Sequence, residues 1–397
     1  MRILITSHYW HPHRGGIETV AYEQALRFAK SGHHVTVVTS QLPGDSPLET
    51  TEGILVHRVP VWNGFAERWG IPYPVFHPRL VALLDRLIGS HDVVLAHGHV
   101  YLPSIISAFL CRRHGRPLIL FQHNPFVRFR PPWNLVERVA DRTVGAFSLR
   151  SAKRLLTQSR FTTSHVHELV PNRTIAILAN GVDTKRFCPL PEGEDRQSLR
   201  RCLGLPVAGF LVLTIRRLVY RNGLDVLLNA ASQLQGCKDI HFVIGGRGPE
   251  RQLLERTIRE RRLDHCHLVG PIGDELLPRY YQAADIFALP TRTGEGFGLV
   301  LLEAFASGLP VVASSGGGQD EVVVANETGL LVPPEDPAAL ANAINALHGN
   351  PLSRAAMGTR ALSRARELTW EAQVEQLEDL VGAATGRRDV RRGANPS

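Results

Sequence analysis

Two glutamates in one short segment have the types and spacing that binding chemistry requires. Glu295 lies in a glycine-rich stretch, and Glu303, eight residues later, lies inside an otherwise apolar predicted helix. A carboxylate among apolar side chains is costly unless it is paired or hydrogen-bonded, so we expect Glu303 to bind hydroxyl groups. Between them, the amides of Gly298 and Leu299 lie at a predicted helix N-terminus, which favours an anion. Carboxylates that can bind hydroxyl groups lie beside amides that can bind a phosphate. This combination predicts a sugar-nucleotide site.

Three arginines follow another apolar run and have a chemistry that suits a diphosphate. Arg216 and Arg217 end the run FLVLTI, and Arg221 precedes Asn222 and Gly223, where the next helix is predicted to begin. Guanidinium groups beside a helix N-terminus are well placed to bind phosphate oxygens. The alternative is a solvated cluster without function, because 41 of the 45 basic residues in the chain are arginine.

Histidines end two of the predicted strands in the first half of the chain. His97 and His99 follow the run DVVLA, and His123 follows LILFQ. Histidines at strand ends can donate hydrogen bonds or transfer protons. The chain contains 18 histidines, so chance placement explains each position about as well as function does.

Gly15 and Gly16 follow the first predicted strand, and Glu18 begins the helix after it. Consecutive glycines let the backbone approach a ligand and expose amides to an anion. A plain strand-to-helix turn explains the pair equally well, and the G-x-G-x-x-G dinucleotide fingerprint is absent.

The elements that must position these residues alternate between apolar strands and amphipathic helices. This alternation, rich in β-branched residues, predicts parallel sheets covered on both faces and therefore an α/β fold. Because the pattern restarts after a polar stretch at 189–206, we expect two doubly wound domains with a ligand site in the cleft between them. The predicted strands are Arg2–Thr6, His34–Thr39, Ile54–Val59, Asp92–Ala96, Pro117–Gln122, Ala152–Thr157, Ile175–Leu178, Phe210–Ile215, Ile240–Gly245, His267–Val269, Asp285–Leu289 and Val311–Ala313.

Four segments describe the predicted domain organisation. Residues 1–190 form an N-terminal acceptor-binding domain, and residues 191–369 form a C-terminal nucleotide-sugar-binding domain. Residues 370–385 form a helix that we expect to pack back on the first domain. Residues 386–397 lack apolar periodicity and are predicted to be a disordered tail.

Composition excludes several classes of protein. The 397 residues carry a formal net charge of +8, with 44% hydrophobic and 21% charged residues, which is ordinary for a globular protein. No apolar run reaches the ~18 residues of a membrane span, and MRILITS is too short for a signal peptide. The five cysteines are scattered, odd in number and never in a CxxC pair. This predicts a reducing cytoplasmic location, without a disulfide framework or a zinc site.

The excess of positive charge leaves a choice of partners. No recognition helix, zinc finger or RNA-binding strand motif is present, so we expect no nucleic acid partner. Anionic small molecules and an anionic membrane surface remain open.

Together the motifs identify a family by resemblance. The chain resembles the retaining glycosyltransferases of family 4, which have the GT-B fold of two Rossmann-like domains facing each other across a cleft. The resemblance covers nearly the whole chain in the family's order. It is carried by Gly15-Gly16 with Glu18, Asp92–Gly98, Phe121–His123, Asn180–Asp183 with Phe187 and Pro189, Arg217–Gly223, Gly245–Pro249, Asp285 with Pro290, and the Glu-x7-Glu pair Glu295 and Glu303.

The resemblance implies transfer of a sugar, with retention, from a UDP- or GDP-linked nucleoside diphosphate sugar to a hydroxyl of a glycan, lipid-linked or small-molecule acceptor. It implies no cofactor and no bound metal. Glu303 is expected to bind the ribose, Glu295 to hold the donor sugar, and His123 to line the reaction centre. Pro271 and Ile272 are expected to contact the base. The remaining donor contacts are expected at Gly15, Gly16, Gly296, Phe297, Gly298, Leu299 and Val300.

The arginine stretch departs from the family pattern. Asn222 stands where the family has a lysine, and Arg216 replaces the usual glycine. The match makes Arg217 the main diphosphate ligand. Side chains alternate along a strand, so we expect Arg216 to point away and Arg221 to replace the lysine's charge.

The acceptor side is less determined. The segment 126–133 (FVRFRPPW) interleaves arginine with aromatics, which suits lipid headgroups if the acceptor is a lipid-linked or cell-envelope glycan at the inner face of the membrane. A loop that only closes over the site is the alternative. Two other functions stay open, namely a sugar-nucleotide epimerase or hydrolase of the same fold and a non-catalytic sugar-nucleotide-binding protein.

Overall fold

The computed structural model describes residues 1–13, 15–65, 73–125 and 133–386. The chain forms two compact units. One contains Met1–Asn180 together with the segment that begins at Trp370, and the other is Gly181–Thr369. Both are built on mainly parallel sheets, as the alternating pattern predicts. Segment 126–132, most of the aromatic-arginine stretch, and residues 387–397 of the tail lie outside the described residues.

The first unit is a sheet with the order β3-β4-β2-β1-β6-β7-β8-β9, in which β5 also pairs with β4. The short strands β3 and β5 run antiparallel to β4, and the other pairs are parallel. The chain order reverses between β1 and β6, so their carboxyl ends form the switch point of this sheet. The strands are β1 (Arg2–Thr6), β2 (His34–Gln41), β3 (Leu48–Thr51), β4 (Ile54–Trp62), β5 (Val75–Phe76), β6 (Val93–His97), β7 (Leu118–Gln122), β8 (Arg154–Thr157) and β9 (Ile175–Ile177).

Helices with one apolar face cover this sheet. Leu80, Leu84 and Leu87 recur along one helix with the spacing of a single face, and all three are buried. Another helix begins at Ser159, whose side chain accepts a hydrogen bond from the Thr162 amide at 3.1 Å. The helices are α1 (Gly16–Lys30), α2 (Arg79–Ser90), α3 (Leu102–His114), α4 (Trp133–Ala140), α5 (Ala146–Ser151) and α6 (Arg160–Leu169).

The amphipathic stretch Trp133–Leu149 is not one continuous helix. A π-helical turn at Asp141–Gly145 separates α4 from α5. Such a turn admits an extra residue and often marks a functional position. It turns Asp141 into the protein, where the residue is only 2% exposed.

The second unit is a six-stranded parallel sheet with the order β12-β11-β10-β13-β14-β15. This is the doubly wound order, and its switch point lies between β10 and β13. Buried β-branched and aromatic residues fill both faces, as expected for parallel strands covered by helices. The strands are β10 (Phe210–Ile215), β11 (Ile240–Gly245), β12 (Cys266–Gly270), β13 (Ile286–Leu289), β14 (Val311–Ser314) and β15 (Gly329–Val332).

Capped helices connect these strands. Asp195 accepts hydrogen bonds from the Gln197 and Ser198 amides, and Asp336 accepts one from Ala339. A 3₁₀ turn at Tyr220–Asn222 precedes the helix after β10. The helices are α7 (Arg196–Cys202), α8 (Leu224–Gln233), α9 (Arg251–Glu260), α10 (Leu277–Ala283), α11 (Leu299–Ala306), α12 (Gln319–Val322), α13 (Pro337–Gly349) and α14 (Pro351–Glu367).

A last helix, α15 (Trp370–Thr385), belongs to the first unit and packs against α1 and β6. Val374, Leu377 and Val381 form its buried face. Gln373 of α15 exchanges side-chain hydrogen bonds at its edge, accepting from Gln24 at 3.1 Å and donating to Asn180 at 3.3 Å. Within the described ranges, none of the helices is long and apolar enough to cross a membrane.

Candidate active site

The switch point of the second sheet brings together two of the residues that the sequence singles out. Arg216 follows β10 and Glu295 lies in the loop after β13, and these two strands are neighbours. The Arg216 guanidinium forms an ion pair with the Glu295 carboxylate. Open α/β sheets bind ligands at this position, so the pair lies where a ligand is expected.

Arg216 carries a polar group that the protein itself does not satisfy. Its side chain is 92% buried, and its Nη1 atom has no hydrogen-bond partner among the described residues. Burial, together with the positive charges of Arg221 and Arg217, lowers the pKa of Arg216 to about 9. The group therefore remains a cation at neutral pH and has an unused donor that suits an anionic ligand.

The alternation argument does not decide which arginine faces the site, because β10 ends at Ile215 and both arginines lie beyond it. The side chain that meets Glu295 is Arg216, not Arg217, and Arg217 is exposed. Arg217 and Arg221 nevertheless lie close enough to lower the pKa of Arg216. The role of Arg217 as a diphosphate ligand stays a prediction.

Asn222, at the position of the family lysine, supports the loop backbone. Its side-chain amide donates a hydrogen bond to the Arg217 carbonyl at 2.7 Å. The residue is only 4% exposed, and its Oδ1 atom has no partner in the described part of the chain. The contact fixes the turn that carries the arginines.

Two glycines allow the close backbone approach at this edge. Gly223 has φ +66°, and a Cβ atom there would overlap the Pro290 carbonyl. Gly246 has φ +137°, and its Cβ would overlap the Arg216 carbonyl. Both need a residue without a side chain. The motif glycines therefore hold the loops after β10, β11 and β13 against one another.

The loop that carries Glu295 is held from behind by a residue that sequence reasoning missed. Gln319, fully buried, accepts a hydrogen bond from the Glu295 amide at 3.0 Å and donates one to the Ser314 carbonyl at 2.8 Å. Gly318 donates to the Glu295 carbonyl at 2.8 Å. The loop then turns into α11 through Gly298, which has φ +92°. The predicted loop residues Gly296, Phe297, Leu299 and Val300 lie in this turn and the first residues of α11.

Glu303 lies in α11 and accepts a hydrogen bond from the hydroxyl of Tyr281 at 2.6 Å. Tyr281 is fully buried in α10, and its burial, followed by the Glu303 charge, raises the pKa of Tyr281 well above its usual value. The phenol stays protonated and donates, which partly compensates the Glu303 carboxylate. Tyr281 also lies near Arg216, since each affects the pKa of the other. Nothing in the sequence pattern singled out Tyr281.

The two residues expected to contact a base follow β12. Pro271 is exposed, and Ile272 is half-buried with its side chain against Gly245 at the end of β11. They therefore lie on the same edge of the second sheet as Arg216. Their contact with a base stays a prediction.

In the first unit, the loop after β1 leads to Gly15 and Gly16 at the start of α1. The Glu18 carboxylate folds back on this helix start and would overlap a Cβ at Gly15. It is 5% exposed and lies 3.5 Å from His8 and 3.6 Å from His13. Among the described residues, and apart from its chain neighbours and the backbone of its own helix, no heavy atom lies within 4 Å of the Cβ position of Gly16.

His97 and His123 form a stacked pair at the ends of β6 and β7. The His97 Nδ1 atom lies 2.9 Å from His123 Nε2, and the rings are 10° from parallel. Burial lowers the pKa of His97 to about 3 and that of His123 well below its usual value. Gln158 donates to the His123 carbonyl and fixes the backbone there. Both rings are therefore neutral hydrogen-bonding groups at neutral pH.

Two family models match the two halves of the chain. The family described as Glycosyltransferase Family 4 matches residues 14–186, and the one described as Glycosyl transferases group 1 matches residues 195–364. The structure resembles Anabaena Alr3699/HepE in complex with UDP-glucose, with a TM-score of 0.78 at 21% identity over 96% of this chain and all of that one. This likeness supports the GT-B fold.

Relatives across the full length carry the family assignment. The chain is 30% identical to the GDP-mannose-dependent alpha-(1-6)-phosphatidylinositol monomannoside mannosyltransferase of Mycolicibacterium smegmatis, over 98% of this chain and all of that protein. It is 30% identical to D-inositol 3-phosphate glycosyltransferase 1 of Catenulispora acidiphila, over 91% and 89% of the two chains. The chain is therefore a glycosyltransferase and belongs to family 4.

Proposed function

We propose that this glycosyltransferase moves a sugar, with retention, from a nucleoside diphosphate sugar to a hydroxyl of a lipid-linked or cell-envelope glycan acceptor. The observation that carries the proposal is the buried Arg216, whose Nη1 lacks a partner among the described residues beside Glu295 at the switch point. A buried donor without a partner is unfavourable until a ligand satisfies it. A diphosphate oxygen is the group that fits it.

The departing diphosphate carries the negative charge that develops in the reaction. Arg216 would bind it directly, with Arg217 and Arg221 adding positive potential nearby. The amides of Gly298 and Leu299 at the start of α11 would bind a second oxygen. Fixed positive groups of this kind stabilise a leaving group without reorganisation, so the transfer step needs no metal ion.

The two glutamates would divide the donor between them. Glu303, already held by Tyr281, would accept hydrogen bonds from the ribose hydroxyls. Glu295, in the loop before α11, would hold the donor sugar. As the diphosphate binds Arg216, Glu295 would release that arginine and accept hydrogen bonds from sugar hydroxyls instead. Pro271 and Ile272 would contact the base, at the edge formed by the ends of β11 and β12.

The first unit would supply the acceptor side of the reaction. His123 is neutral and can donate or accept a hydrogen bond at the reacting hydroxyl, with His97 fixing its ring. The Gly15-Gly16 turn would offer amides to the diphosphate. Two relatives named for phosphatidylinositol monomannoside and inositol phosphate acceptors support an acceptor built on a phosphorylated cyclitol or its lipid.

The donor is tested first by binding. Melting temperature should rise with one nucleotide class when GDP-mannose, UDP-glucose, ADP-glucose and dTDP-glucose are compared, because a ligand that binds only the folded state stabilises it. GDP-mannose is the first candidate, from the name of the relative that is 30% identical. Absence of a shift with every nucleotide would contradict the proposal.

The reaction class is tested with the donor that binds. Incubation with the donor and a phosphatidylinositol mannoside acceptor should give a product whose anomeric configuration, read by NMR, matches the donor. Conversion of the donor alone into another sugar nucleotide would instead indicate an epimerase. Binding without turnover on any acceptor of this class would indicate a sugar-nucleotide-binding protein.

A further inference from the structure

Three side chains outside the proposed reaction centre converge inside the first unit. The Nε2 atom of His99 lies 2.9 Å from Oδ1 of Asp141, and the Nε2 atom of His165 lies 3.8 Å from Oδ2 of the same carboxylate. His99 follows β6, Asp141 begins the π-helical turn, and His165 lies in α6. Across the described ranges, they are the one group of three histidine, cysteine or acidic residues whose donor atoms all lie within 4.8 Å of one another.

The opposite nitrogen of His99 is already committed as a donor. Its Nδ1 atom lies 2.8 Å from Oε1 of Gln122. Two further hydrogen bonds fix the orientation of the Gln122 side chain. Its oxygen accepts from the backbone N–H of His99 at 3.0 Å, and its nitrogen donates to the Asn124 carbonyl at 2.8 Å. Nδ1 must therefore carry the proton, and Nε2 of a neutral ring presents its lone pair to Asp141.

The lone pair of His99 Nε2 lies 2.9 Å from the Asp141 carboxylate oxygen. Two such atoms repel each other unless a proton or a metal cation lies between them. A histidine that donates one ring N–H to an oxygen and directs the other nitrogen at a carboxylate and a second histidine has the arrangement of a metal ligand with its supporting hydrogen bond. Tetrahedral zinc places nitrogen and carboxylate donors about 2.0–2.2 Å from the ion, and therefore about 3.3–3.6 Å from one another. The donor atoms here all lie within 4.8 Å of one another, so a modest movement would bring them onto one ion.

We propose that His99, Asp141 and His165 bind one divalent transition-metal ion, with zinc as the best match. Two imidazoles and one carboxylate are ligands that zinc accepts, and the fourth position is left for water. The local charge agrees, since Glu168 lies 3.9 Å from His165 and the Glu137 carboxyl lies close enough to Asp141 and His99 for both to affect its pKa. Arg142 adds a positive charge near His165.

The ion would have a structural role, as a cross-link between segments of the first unit. Its ligands come from three elements that are separate in the chain, so it would hold the π-helical turn and α6 to the carboxyl edge of β6. It would also fix Gln122 through His99, and Gln122 precedes His123 in the chain. The site belongs to the first unit, whereas Arg216 and Glu295 belong to the second, and we assign it no part in the proposed departure of the diphosphate.

The test measures metal directly and needs neither donor nor acceptor, so it is independent of the proposed function. The full chain should take up about one equivalent of zinc by elemental analysis, and its melting temperature should rise by several degrees over the metal-stripped protein. His165→Ala should lose both effects. His114→Ala is the matched control, because His114 also pairs with a carboxylate, Asp85 at 2.8 Å, in the same unit.

Cobalt provides a readout in the unchanged chain. Co²⁺ added to the metal-stripped protein should give visible absorption bands of a four-coordinate site, and one equivalent of zinc should abolish them. Absence of zinc uptake and of these bands in the wild type would overturn the proposal, leaving a buried ion pair between Asp141 and protonated His99. Equal zinc binding by His165→Ala and His114→Ala would overturn it as well.

Discussion

The two sheets place different chemistry at their carboxyl edges. The carboxyl edge of the first sheet carries the stacked pair His97 and His123, and the switch point of the second carries Arg216 with Glu295. His97 is the last residue of β6, and the other three residues lie in loops that follow strands. Burial is the largest cause of the lowered pKa of His97, His123 and Arg216. The edges therefore differ in the residue types at the strand ends, not in architecture.

Burial has opposite consequences at the two edges because the residue types start from different pKa values. It lowers the pKa of His97 to about 3, far below neutral, so the ring loses its charge. It lowers the pKa of Arg216 to about 9, which still leaves a cation at pH 7. One edge thus offers neutral hydrogen bonds for hydroxyls, and the other keeps a desolvated positive charge for a phosphate.

The largest expected effect is at the carboxyl edge of the second sheet, which carries Arg216 and Glu295 and is called the charged edge below. Glu295→Gln should lower kcat by about 100–1000-fold, because it removes the carboxylate that we assign to hold the donor sugar in position for the reaction. Donor affinity should fall little, since Glu303 is assigned to the ribose. Steady-state kinetics and calorimetric titration of the nucleotide measure the two quantities. Glu335→Gln, which alters an exposed partner of Arg292, is the control. Complete loss of nucleotide binding by Glu295→Gln would contradict the assigned roles.

Variants of Arg216 and Arg217 test which guanidinium group binds the diphosphate. Arg216→Ala should lower kcat/KM by about 10–150-fold, the equivalent of ~1.5–3 kcal/mol for one charge-assisted hydrogen bond. Arg217→Ala should cost less, because Arg217 is exposed. Arg216→Lys should recover part of the loss. If Arg217→Ala were the more damaging variant, the diphosphate would bind on the other side of the loop.

The stability of the first unit should depend on pH, because His97, at the carboxyl edge of its sheet, is buried and neutral. His97 has a lowered pKa in the folded state, so the unfolded chain binds the extra proton below pH ~6.5. Its contribution to stability is therefore complete above that pH and falls by about 1.4 kcal/mol for each pH unit below it. Urea unfolding at pH 7.0 and 5.5 should show a smaller difference for His97→Gln than for wild type. His77→Gln, at an exposed position, is the control, and an equal reduction in both variants would exclude His97 as the source.

The smallest expected effect concerns metal ions. Initial rates in excess EDTA should equal those without it, because arginines supply the charge that the diphosphate needs. The melting temperature should fall in the same samples if zinc holds His99, Asp141 and His165. Loss of rate that Mg²⁺ restores would show that the charged edge is incomplete without a cation.

The sequence predicts the parts of the site that lie along one segment of chain. Glu295, Glu303 and the glycines between them are recognisable because their spacing reports a loop followed by a helix. The direction of Arg216 is not predictable in this way, since alternation applies only within β10 and the residue lies one position beyond it.

Residues brought in from distant elements are not predictable from spacing. Tyr281 reaches Glu303 from 22 residues away, and Gln319 reaches the Glu295 amide from 24. The turn at Asp141 breaks a stretch whose periodicity reads as one helix, and His99 lies 42 residues from its partner Asp141. Such contacts depend on the folded topology and not on any local pattern.

The return of α15 to the first unit has a consequence for synthesis. The first unit is discontinuous in the chain, since the segment that begins at Trp370 completes what residues up to Asn180 begin. On the ribosome, the nine-stranded sheet emerges first, but the partners of Gln24 and Arg27, which are Gln373 and Glu371, emerge about 190 residues after Asn180. The first unit therefore cannot complete its packing until the whole of the second unit has been synthesised.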